Sequence, residues 1–207
     1  MAGEGASRAA GWTPKGQATR DRIVAAAAKL MFEKGVAGTT TEDVRAEAGV
    51  SSSQLYHYFA DKKALVRAVI GYTTDAVLDA QQPLLGRLDS LEALRAWRDA
   101  LVDLQRGRAC HGGCPIGSLA SELADGWPEA RTDLAAGFER WEAEIRRGLR
   151  AMRDRGVLRP DADPDHLALA TLSALQGGLL LTQTRRDTAP IEAALDAMLD
   201  HIASYTA

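Results

Sequence analysis

The sequence predicts an all-α fold of about nine helices. Long segments carry apolar residues at the spacing of a helix face, and Gly, Pro and Asp separate these segments. No run shows the sustained alternation of β-branched and polar residues that is typical of a strand. The 207 residues can bury a sizeable core, and the ordinary apolar and charged fractions argue against a disordered or collagen-like chain.

The first predicted helix covers residues 19–34, and Gly35 is placed to end it. Its apolar stripe, at i, i+4, i+7 and i+8, consists of Ile23, Ala27, Leu30 and Met31. The start of the chain is rich in Gly, Ala and Ser and lacks the apolar segment of a secretory signal. We therefore expect a disordered N-terminal tail over residues 1–18 and a cytoplasmic protein.

Two very short helices follow, and each has a signal for its own start. Thr40 and Asp43 have the spacing of a capping box, and Gly49 is placed to close the helix that they open. Ser51 and Gln54 repeat the same capping spacing directly afterwards. Two short helices joined by a glycine turn predict a helix-turn-helix.

The second of these helices has one apolar face and one polar face. At 100° per residue, Leu55 and Phe59 lie about 40° apart and predict the buried side. The opposite side and its flanks carry Ser52, Ser53, Gln54, Tyr56 and His57. This face has no carboxylate, and the helix, about 12 Å long, fits the width of a DNA major groove. Small serines would let it approach closely, Gln54 would pair with both polar atoms of an adenine edge, and the ring side chains would reach phosphates.

The charge distribution indicates two parts with different partners. Through Arg67 we count ten Lys and Arg against seven Asp and Glu, a balance of +3, and the remainder carries fifteen against twenty-one, a balance of −6. Asp61 is placed to cap a fourth, longer helix that carries Leu65, Val69 and Ile70. Lys62, at the start of this helix, would place its ammonium beside the DNA backbone. The alternative is an ordinary αα-hairpin whose exposed Ser, Gln and Tyr side chains only face solvent.

Longer helices are predicted for the remainder of the chain, over residues 90–106, 116–124, 128–155, 164–185 and 190–205. Proline stands near the start of four of them, where its missing N–H costs nothing. Residues 166–184 contain no Asp, Glu, Lys or Arg and are nearly long enough to span a bilayer. Since Thr, Ser, Gln and two glycines interrupt this segment, we expect a helix buried between protein surfaces and no membrane partner.

The segment from Gly35 to Ile70 resembles the N-terminal domain of the TetR family of transcriptional repressors. The resemblance rests on TT before the second helix, AGV at the turn and the pattern LYxYFxxKxxL after it. It implies a DNA-binding domain over residues 19–65 and a helical effector-binding and dimerisation domain over 66–207. It further implies a homodimer that holds a palindromic double-stranded DNA operator, with a small-molecule effector that loosens this grip. The DNA contacts carried over with the resemblance are Thr40, Thr41, Ser51, Ser52, Ser53, Gln54, Tyr56, His57, Tyr58 and Lys62.

Aromatic and apolar residues of the second half are candidates for an effector pocket. They are Trp97, Leu101, Leu104, Trp127, Phe138, Trp141, Leu175 and Gln176. A pocket lined by these side chains would favour a flat hydrophobic or aromatic compound. The stretch GCPIGSLASELAD, residues 113–125, is similar to a segment of a drug- and flavonoid-responsive subgroup of the same family. The alternative is ordinary core packing, because Trp and Leu at helical spacing usually pack inside a protein.

The last two predicted helices carry more apolar surface than one core obviously needs. Paired across a two-fold axis, they would form a four-helix bundle between two protomers. The candidate interface residues are Leu169, Leu172, Ser173, Gln176, Leu180, Ile191, Leu195, Met198 and Ile202. The alternative is that both stripes only close the core of a single protomer.

The sequence carries no motif of an enzyme or of a cofactor site, such as a nucleophile elbow, a phosphate loop, a zincin motif or a dinucleotide fingerprint. Cys110, His111 and Cys114 form the tightest cluster of potential metal ligands, but a structural zinc site normally needs four. We therefore expect no enzyme activity, no cofactor and no metal.

The function predicted from these observations is a ligand-responsive, DNA-binding transcriptional regulator. We expect a repressor that a small hydrophobic or aromatic molecule releases from its operator. The alternative is a helical small-molecule or metal-responsive binding protein whose helix-turn-helix is only structural.

Overall fold

The computed structural model describes residues 12–206, which fold into nine α-helices and form no β-structure beyond a single bridge between Leu158 and Thr206. The helices are α1 (Pro14–Lys34), α2 (Thr41–Ala48), α3 (Ser52–Tyr58), α4 (Lys62–Asp79), α5 (Leu91–Gly107), α6 (Pro115–Leu123), α7 (Pro128–Asp154), α8 (Pro164–Arg185) and α9 (Ala189–Ala203). A short 3-10 helix, Leu85–Arg87, lies between α4 and α5. The predicted all-α fold of about nine helices is confirmed.

Helix α1 begins at Pro14, five residues before the start predicted from the apolar stripe. Thr13 caps it, since its side-chain oxygen accepts a hydrogen bond from the backbone N–H of Gly16 at 3.2 Å. Pro14 occupies the first turn, where proline needs no hydrogen-bond partner. The predicted tail is therefore wrong for residues 14–18, whose helix is set by a cap and a proline and not by apolar spacing. The rest of that prediction, over residues 1–11, lies outside the described residues.

The chain divides into two compact units, one up to Tyr72 and the other from Thr73 onwards. This border lies seven residues beyond the one expected at the end of the helix-turn-helix motif. Leu65, Val69 and Ile70 of α4 are almost fully buried and belong to the first unit. The apolar stripe of α4 therefore extends the first unit past the motif itself.

In the first unit, α1 and α2 pack against each other. The predicted stripe residues Ile23, Ala27, Leu30 and Met31 are all buried. Arg22 Nε donates to the carbonyl of Ala48 at 2.9 Å, and the Lys29 ammonium pairs with Glu47 at 2.6 Å. Side chains of α1 thus hold the end of α2, from which the chain turns into α3.

In the second unit, α8 and α9 form a close pair, with α7 packed on α8 and α5 on α9. Gly178 allows the close approach, because a Cβ added there would lie 2.9 Å from the Cα of Ile191. The Thr182 hydroxyl oxygen accepts a hydrogen bond from the N–H of Ile191 at 3.2 Å and so tethers the start of α9. Helix α5 joins α9 through a two-bond ion pair between Arg98 and Asp196, at 2.8 and 2.7 Å.

The bounds predicted for the five C-terminal helices agree with α5 to α9 within two residues at either end. Proline in the first turn marks four of these starts, which is a local signal that tertiary packing does not override. Over residues 12–206, no helix combines the length and the apolar character that crossing a bilayer requires.

Candidate nucleic-acid interface and effector unit

The start of α2 is fixed by the predicted capping box. The N–H of Asp43 donates to the Thr40 hydroxyl at 3.1 Å, and the Asp43 carboxylate accepts the N–H of Thr40 at 3.0 Å. Hydrogen bonds from the Thr40 backbone and side chain hold the pKa of the Asp43 carboxyl below its ordinary value. At the other end, Gly49 has φ of +61°, a left-handed conformation that permits the sharp turn into α3.

Both threonines predicted to contact DNA have partners within α2. Thr40 is exposed but accepts the hydrogen bond of the capping box, and the half-buried Thr41 donates its hydroxyl to the Glu42 carboxylate at 3.1 Å. The carboxylates of Glu42 and Asp43 therefore stand beside both hydroxyl groups. This end of α2 is less favourable for a phosphate than the threonines alone suggest.

A second capping box fixes the start of α3. The Ser51 hydroxyl accepts the N–H of Gln54 at 3.2 Å, and Gln54 Oε1 accepts the N–H of Ser51 at 2.9 Å. An amide oxygen has two lone pairs, so Gln54 Oε1 could accept the Ser51 N–H and an adenine N–H together while Nε2 donates to the base. The predicted two-atom contact of Gln54 with adenine therefore stays a prediction, and the capping box restricts the directions in which the amide can turn.

Leu55 and Phe59 are buried, as predicted, so the opposite side of α3 faces outwards. The exposed residues of this recognition face are Ser51, Ser52, Ser53, Gln54, Tyr56 and His57. Tyr56 is 53% exposed, and Ser53 shares a hydrogen bond with Ser51 at 2.9 Å. Since residues 50–60 contain no carboxylate, this face can approach a polyanion without local repulsion.

The C-terminal end of α3 packs against the residue that precedes the cap of α1. The ring of Trp12 lies 5.1 Å from the ring of His57 and 4.8 Å from that of Tyr58, measured between centroids. Tyr58 is half-buried, so it is less accessible to DNA than the sequence predicts. Sequence reasoning does not single out Trp12, although a lone tryptophan directly before a Thr-Pro helix start is a usable signal.

The sequence predicts a Lys62 ammonium that is available to DNA. In the structure it donates a hydrogen bond to the carbonyl of Val36 at 2.7 Å. This carbonyl lies in the turn after α1, so Lys62 links the start of α4 to the end of α1. An ammonium group has three N–H bonds, and two of them remain for a phosphate. Lys62 therefore braces the first unit while it keeps positive charge at the surface.

The candidate effector residues do not share one degree of burial. Trp97, Leu101, Trp141 and Leu175 are buried, and Trp127, Phe138 and Gln176 are half-buried. Trp97 Nε1 donates to Gln81 Oε1 at 3.0 Å, so Trp97 is a core residue with its polar group satisfied. Leu104 is 37% exposed, whereas the buried side of α5 runs through Leu101 and Gln105, so its place in a pocket stays a prediction.

In the second unit, the buried atoms Gln105 Oε1 and Trp141 Nε1 lack a hydrogen-bond partner. Gln176 Nε2 and Arg146 Nε also have no hydrogen bond of good geometry, but the Gln176 side chain interacts with the Cys114 thiol and Arg146 Nε lies 3.0 Å from the Asp165 carboxylate. Leaving such a group unpaired costs about 1–3 kcal/mol, which a bound molecule with matching groups would recover. Among the described residues from Thr73 onwards, the fully buried polar side chains are all Thr or Gln, without charge. Sequence reasoning misses Gln105, because nothing in the sequence distinguishes a buried glutamine from an exposed one.

The candidate dimer residues divide between surface and core. Leu169 and Leu180 are 54% and 58% exposed, and Ser173 is exposed with them on the outward side of α8. Buried inside the protomer are Leu172, Ile191, Leu195 and Ile202. The three of them on α9 pack on α8 and α5, so these buried residues offer little surface to a partner chain, and the interface stays a prediction. Met198 and Gln176 are half-buried.

Two family models match the chain, one for each unit. Residues 23–69 match the bacterial regulatory proteins of the tetR family, and residues 90–198 match the tetracyclin repressor-like C-terminal domain. The second match alone spans more than half of the chain. The chain belongs to the TetR family.

Individual relatives agree with this family. The chain is 30% identical over 186 residues to an uncharacterised HTH-type transcriptional regulator of Mycobacterium tuberculosis strain H37Rv, covering 85% of this chain and 90% of that protein. It is 24% identical over 192 residues to the HTH-type transcriptional repressor DhaR of Mycobacterium sp. strain GP1, covering 90% and 93%. The crystal structure of a TetR transcriptional regulator from Chloroflexus aurantiacus J-10-fl is similar with a TM-score of 0.79 and 29% identity, covering 94% and 98%.

Membership of the TetR family confirms the predicted function as a DNA-binding, ligand-responsive transcriptional regulator. A carrier protein with a purely structural helix-turn-helix is not favoured, since both halves match domains of regulators. The family and these relatives are regulators of transcription and not enzymes. The drug- and flavonoid-responsive subgroup stays a prediction.

The two cysteines of this TetR-family chain are both buried free thiols. Burial raises the pKa of the Cys114 thiol, while the N–H of Gly117, which donates to its sulfur at 3.3 Å, partly offsets this effect. His111 is exposed, with Nδ1 against the carbonyls of its own turn. Across residues 12–206, no three His, Cys, Asp or Glu side chains are grouped to hold a metal ion.

Proposed function

We propose that the chain is a homodimeric repressor that binds a palindromic DNA operator and releases it when a small, neutral, largely apolar molecule binds to its second unit. The observation that carries this proposal is the recognition face of α3, which is exposed, rich in hydroxyl groups and free of carboxylates. A regulator of transcription works beside the DNA, so we place the protein in the cytoplasm.

In the proposed complex, α3 enters the major groove. Ser52 and Ser53 are small enough for close approach, Gln54 Nε2 donates to a base acceptor, and Tyr56 and His57 reach phosphates. The buried pair beneath the helix and the capping boxes at the starts of α2 and α3 keep this face in place. Two recognition helices about 34 Å apart would enter successive major grooves on one side of the duplex.

The proposed dimer contact is the outward stripe of α8, formed by Leu169, Ser173, Gly177 and Leu180. Two exposed leucines flank the two smaller residues, and residues 166–184 carry no charged side chain. A Cβ added to Gly177 would have no neighbour within 4 Å in the protomer, so this glycine leaves room for a second helix. An uncharged stripe with small residues at its centre suits close packing of two α8 helices across a two-fold axis.

The proposed effector is neutral because the fully buried polar side chains of the second unit, as far as described, carry no charge that would balance an ion. The unpaired atoms of Gln105 and Trp141 would receive its few polar groups. Release from DNA requires that the effector bind the DNA-incompetent conformation more tightly than the DNA-bound one. An effector that binds both conformations equally tightly would not change the fraction of protein on DNA.

The first test uses a gel-shift assay on the DNA that flanks the protein's own gene. We expect Tyr56→Ala to weaken binding about tenfold or more, because each protomer loses one phosphate contact. Tyr72→Ala is the matched control, since Tyr72 is a tyrosine of similar exposure, 43%, that lies outside the recognition face. Equal affinity of the two variants would overturn the proposed role of α3.

A second arm of the same assay titrates neutral aromatic compounds and their charged analogues against the preformed complex. Neutral compounds should release the DNA, and the carboxylate or ammonium analogues should not, because the buried polar groups cannot neutralise them. Release by charged analogues alone would overturn the effector class while leaving the DNA-binding proposal intact.

A further inference from the structure

Trp12, His57 and Tyr58 form a closed triangle of aromatic rings. The centroid distances are 5.1 Å between Trp12 and His57, 4.8 Å between Trp12 and Tyr58, and 5.1 Å between His57 and Tyr58. The interplanar angles are 78°, 48° and 76° in the same order, so both contacts of His57 are edge-to-face. Such pairs contribute beyond their buried area and prefer defined ring orientations.

The triangle joins the start of α1 to the end of α3. Trp12 directly precedes Thr13, the cap of α1, and His57 and Tyr58 are the last two residues of α3. The Tyr58 hydroxyl oxygen lies 3.5 Å from the position of a Cβ added to Gly16, so this ring reaches over the first turn of α1. Helix α3 has only seven residues and depends on such tertiary contacts for its order.

The triangle lies at the surface and not in the core. His57 is exposed and belongs to the recognition face, and Trp12 and Tyr58 are half-buried. A surface cluster of this kind buries little area, but it restricts the side-chain rotamers of its members. Immobilising a side chain on binding costs conformational entropy, and ordering it in the free protein removes that cost.

We propose that Trp12 is a positioning residue for operator binding, which holds the rings of His57 and Tyr58 in the orientation in which they meet the DNA backbone. This inference rests on the proposed function, in which α3 enters the operator. Trp12 lies outside the helix-turn-helix motif, so the inference adds the segment before α1 to the parts of the chain that determine operator affinity.

The test compares Trp12→Ala and Trp12→Phe in the full-length chain by fluorescence anisotropy with a labelled operator. We expect Trp12→Ala to bind about tenfold more weakly, as two side chains lose their order, and Trp12→Phe to stay close to wild type because a ring remains. Phe32→Ala is the control, since Phe32 is an exposed aromatic residue of α1 away from the triangle. Circular dichroism shows whether each variant is folded.

Double-mutant cycles separate positioning from a general loss of stability. If Trp12 acts through its ring partners, Trp12→Ala should have a much smaller effect in backgrounds carrying His57→Ala or Tyr58→Ala. Full additivity in both backgrounds would overturn the inference, as would equal affinities of Trp12→Ala and wild type. If Trp12→Ala fails to fold, Trp12→Leu takes its place, because it keeps an apolar side chain without a ring and should also bind the operator more weakly. Equal affinities of folded Trp12→Leu and wild type would then overturn the inference.

Tryptophan emission gives a readout that a merely structural role would not change. Trp12 is the only tryptophan before residue 97, so an emission change caused by operator binding near α3 should come from it. The change should disappear in Trp12→Phe, and its persistence at full size would contradict the inference. A wild-type protein that binds no operator would refute the proposed function itself, whereas loss of binding in Tyr56→Ala but not in Trp12→Ala would refute only the role of Trp12.

Discussion

At the scale of single residues, Gly178 and Gly71 are both helical glycines but have opposite surroundings. A Cβ at position 178 would meet the Cα of Ile191 at 2.9 Å and the Cβ of Ala194 at 3.3 Å, whereas a Cβ at position 71 would meet nothing within 4 Å. Gly178→Ala should therefore lower the free energy of unfolding by about 1–3 kcal/mol, because α8 and α9 must move apart.

The matched change Gly71→Ala should raise the free energy of unfolding by up to about 1 kcal/mol, since alanine favours a helix without meeting a neighbour. Urea denaturation of both variants, followed by circular dichroism, measures the two effects. Similar values for the two variants would show that the close approach of α8 and α9 is not as tight as described.

Residue roles are hardest to predict where a side chain has a choice of partners. The sequence places Gln54 and Lys62 on the correct helices, yet it cannot tell that Gln54 Oε1 prefers the Ser51 N–H or that Lys62 prefers the Val36 carbonyl. Both preferences depend on local geometry at the scale of single hydrogen bonds. Free rotation of long polar side chains leaves such alternatives open until the backbone is known.

At the scale of elements, the capping box of α2 makes stability depend on pH in a defined direction. The pKa of the Asp43 carboxyl is below its ordinary value in the folded chain, because the ionised form accepts the hydrogen bonds of Thr40. A depressed folded pKa stabilises the fold above the carboxyl's ordinary pKa, about 3.9, and this contribution is lost as the pH falls through the folded value.

We therefore expect Asp43→Ala to be less stable than wild type at pH 7, with a difference that shrinks as the pH falls below about 4. Asp43→Asn separates charge from hydrogen bonding, because its amide oxygen can still accept the Thr40 N–H but does not titrate. Guanidinium denaturation of the three proteins across this pH range provides the measurement. A wild-type advantage over Asp43→Ala that grows as the pH falls below about 4 would contradict the assigned cause.

Element ends are predictable from the sequence wherever the signal is local. Capping pairs such as Thr40 with Asp43, and prolines in the first turn, mark helix starts regardless of packing, and the structure places most helices accordingly. The start of α1 is predicted five residues too late, because apolar periodicity marks the helix only from residue 19 onwards and is absent over residues 14–18. Its cap and its Pro14 carry the signal instead.

At the scale of the whole molecule, the sequence cannot assign apolar stripes to inner and outer surfaces. Helices α8 and α9 both carry such stripes, and both are compatible with a core or with an interface. The structure uses Ile191, Leu195 and Ile202 inside the protomer and leaves Leu169 and Leu180 outside. The choice depends on how several helices share one core, which is a non-local property that helical spacing does not encode.

The exposed stripe of α8 therefore carries the prediction about assembly. Leu180→Lys places a charge at one end of the proposed contact stripe, where no opposite charge would compensate its desolvation, and should convert the dimer to a monomer at micromolar concentration. Val157→Lys is the control, since Val157 is an exposed apolar residue of the same unit outside α8. Light scattering after size exclusion measures the mass of each variant.

Loss of the dimer should carry over to DNA binding, although position 180 lies outside the recognition face. In a dimer, binding of one helix-turn-helix to its half-site holds the second one close to the other half-site, at a high effective concentration. This typically raises the affinity for a palindrome by a factor of about 100 or more over that of separate units. Leu180→Lys should therefore lose operator affinity by about that factor while it still binds one half-site weakly. If Leu180→Lys remains a dimer, the contact between protomers lies elsewhere. The two solvent-exposed leucines of the α8 stripe would then require a different binding partner.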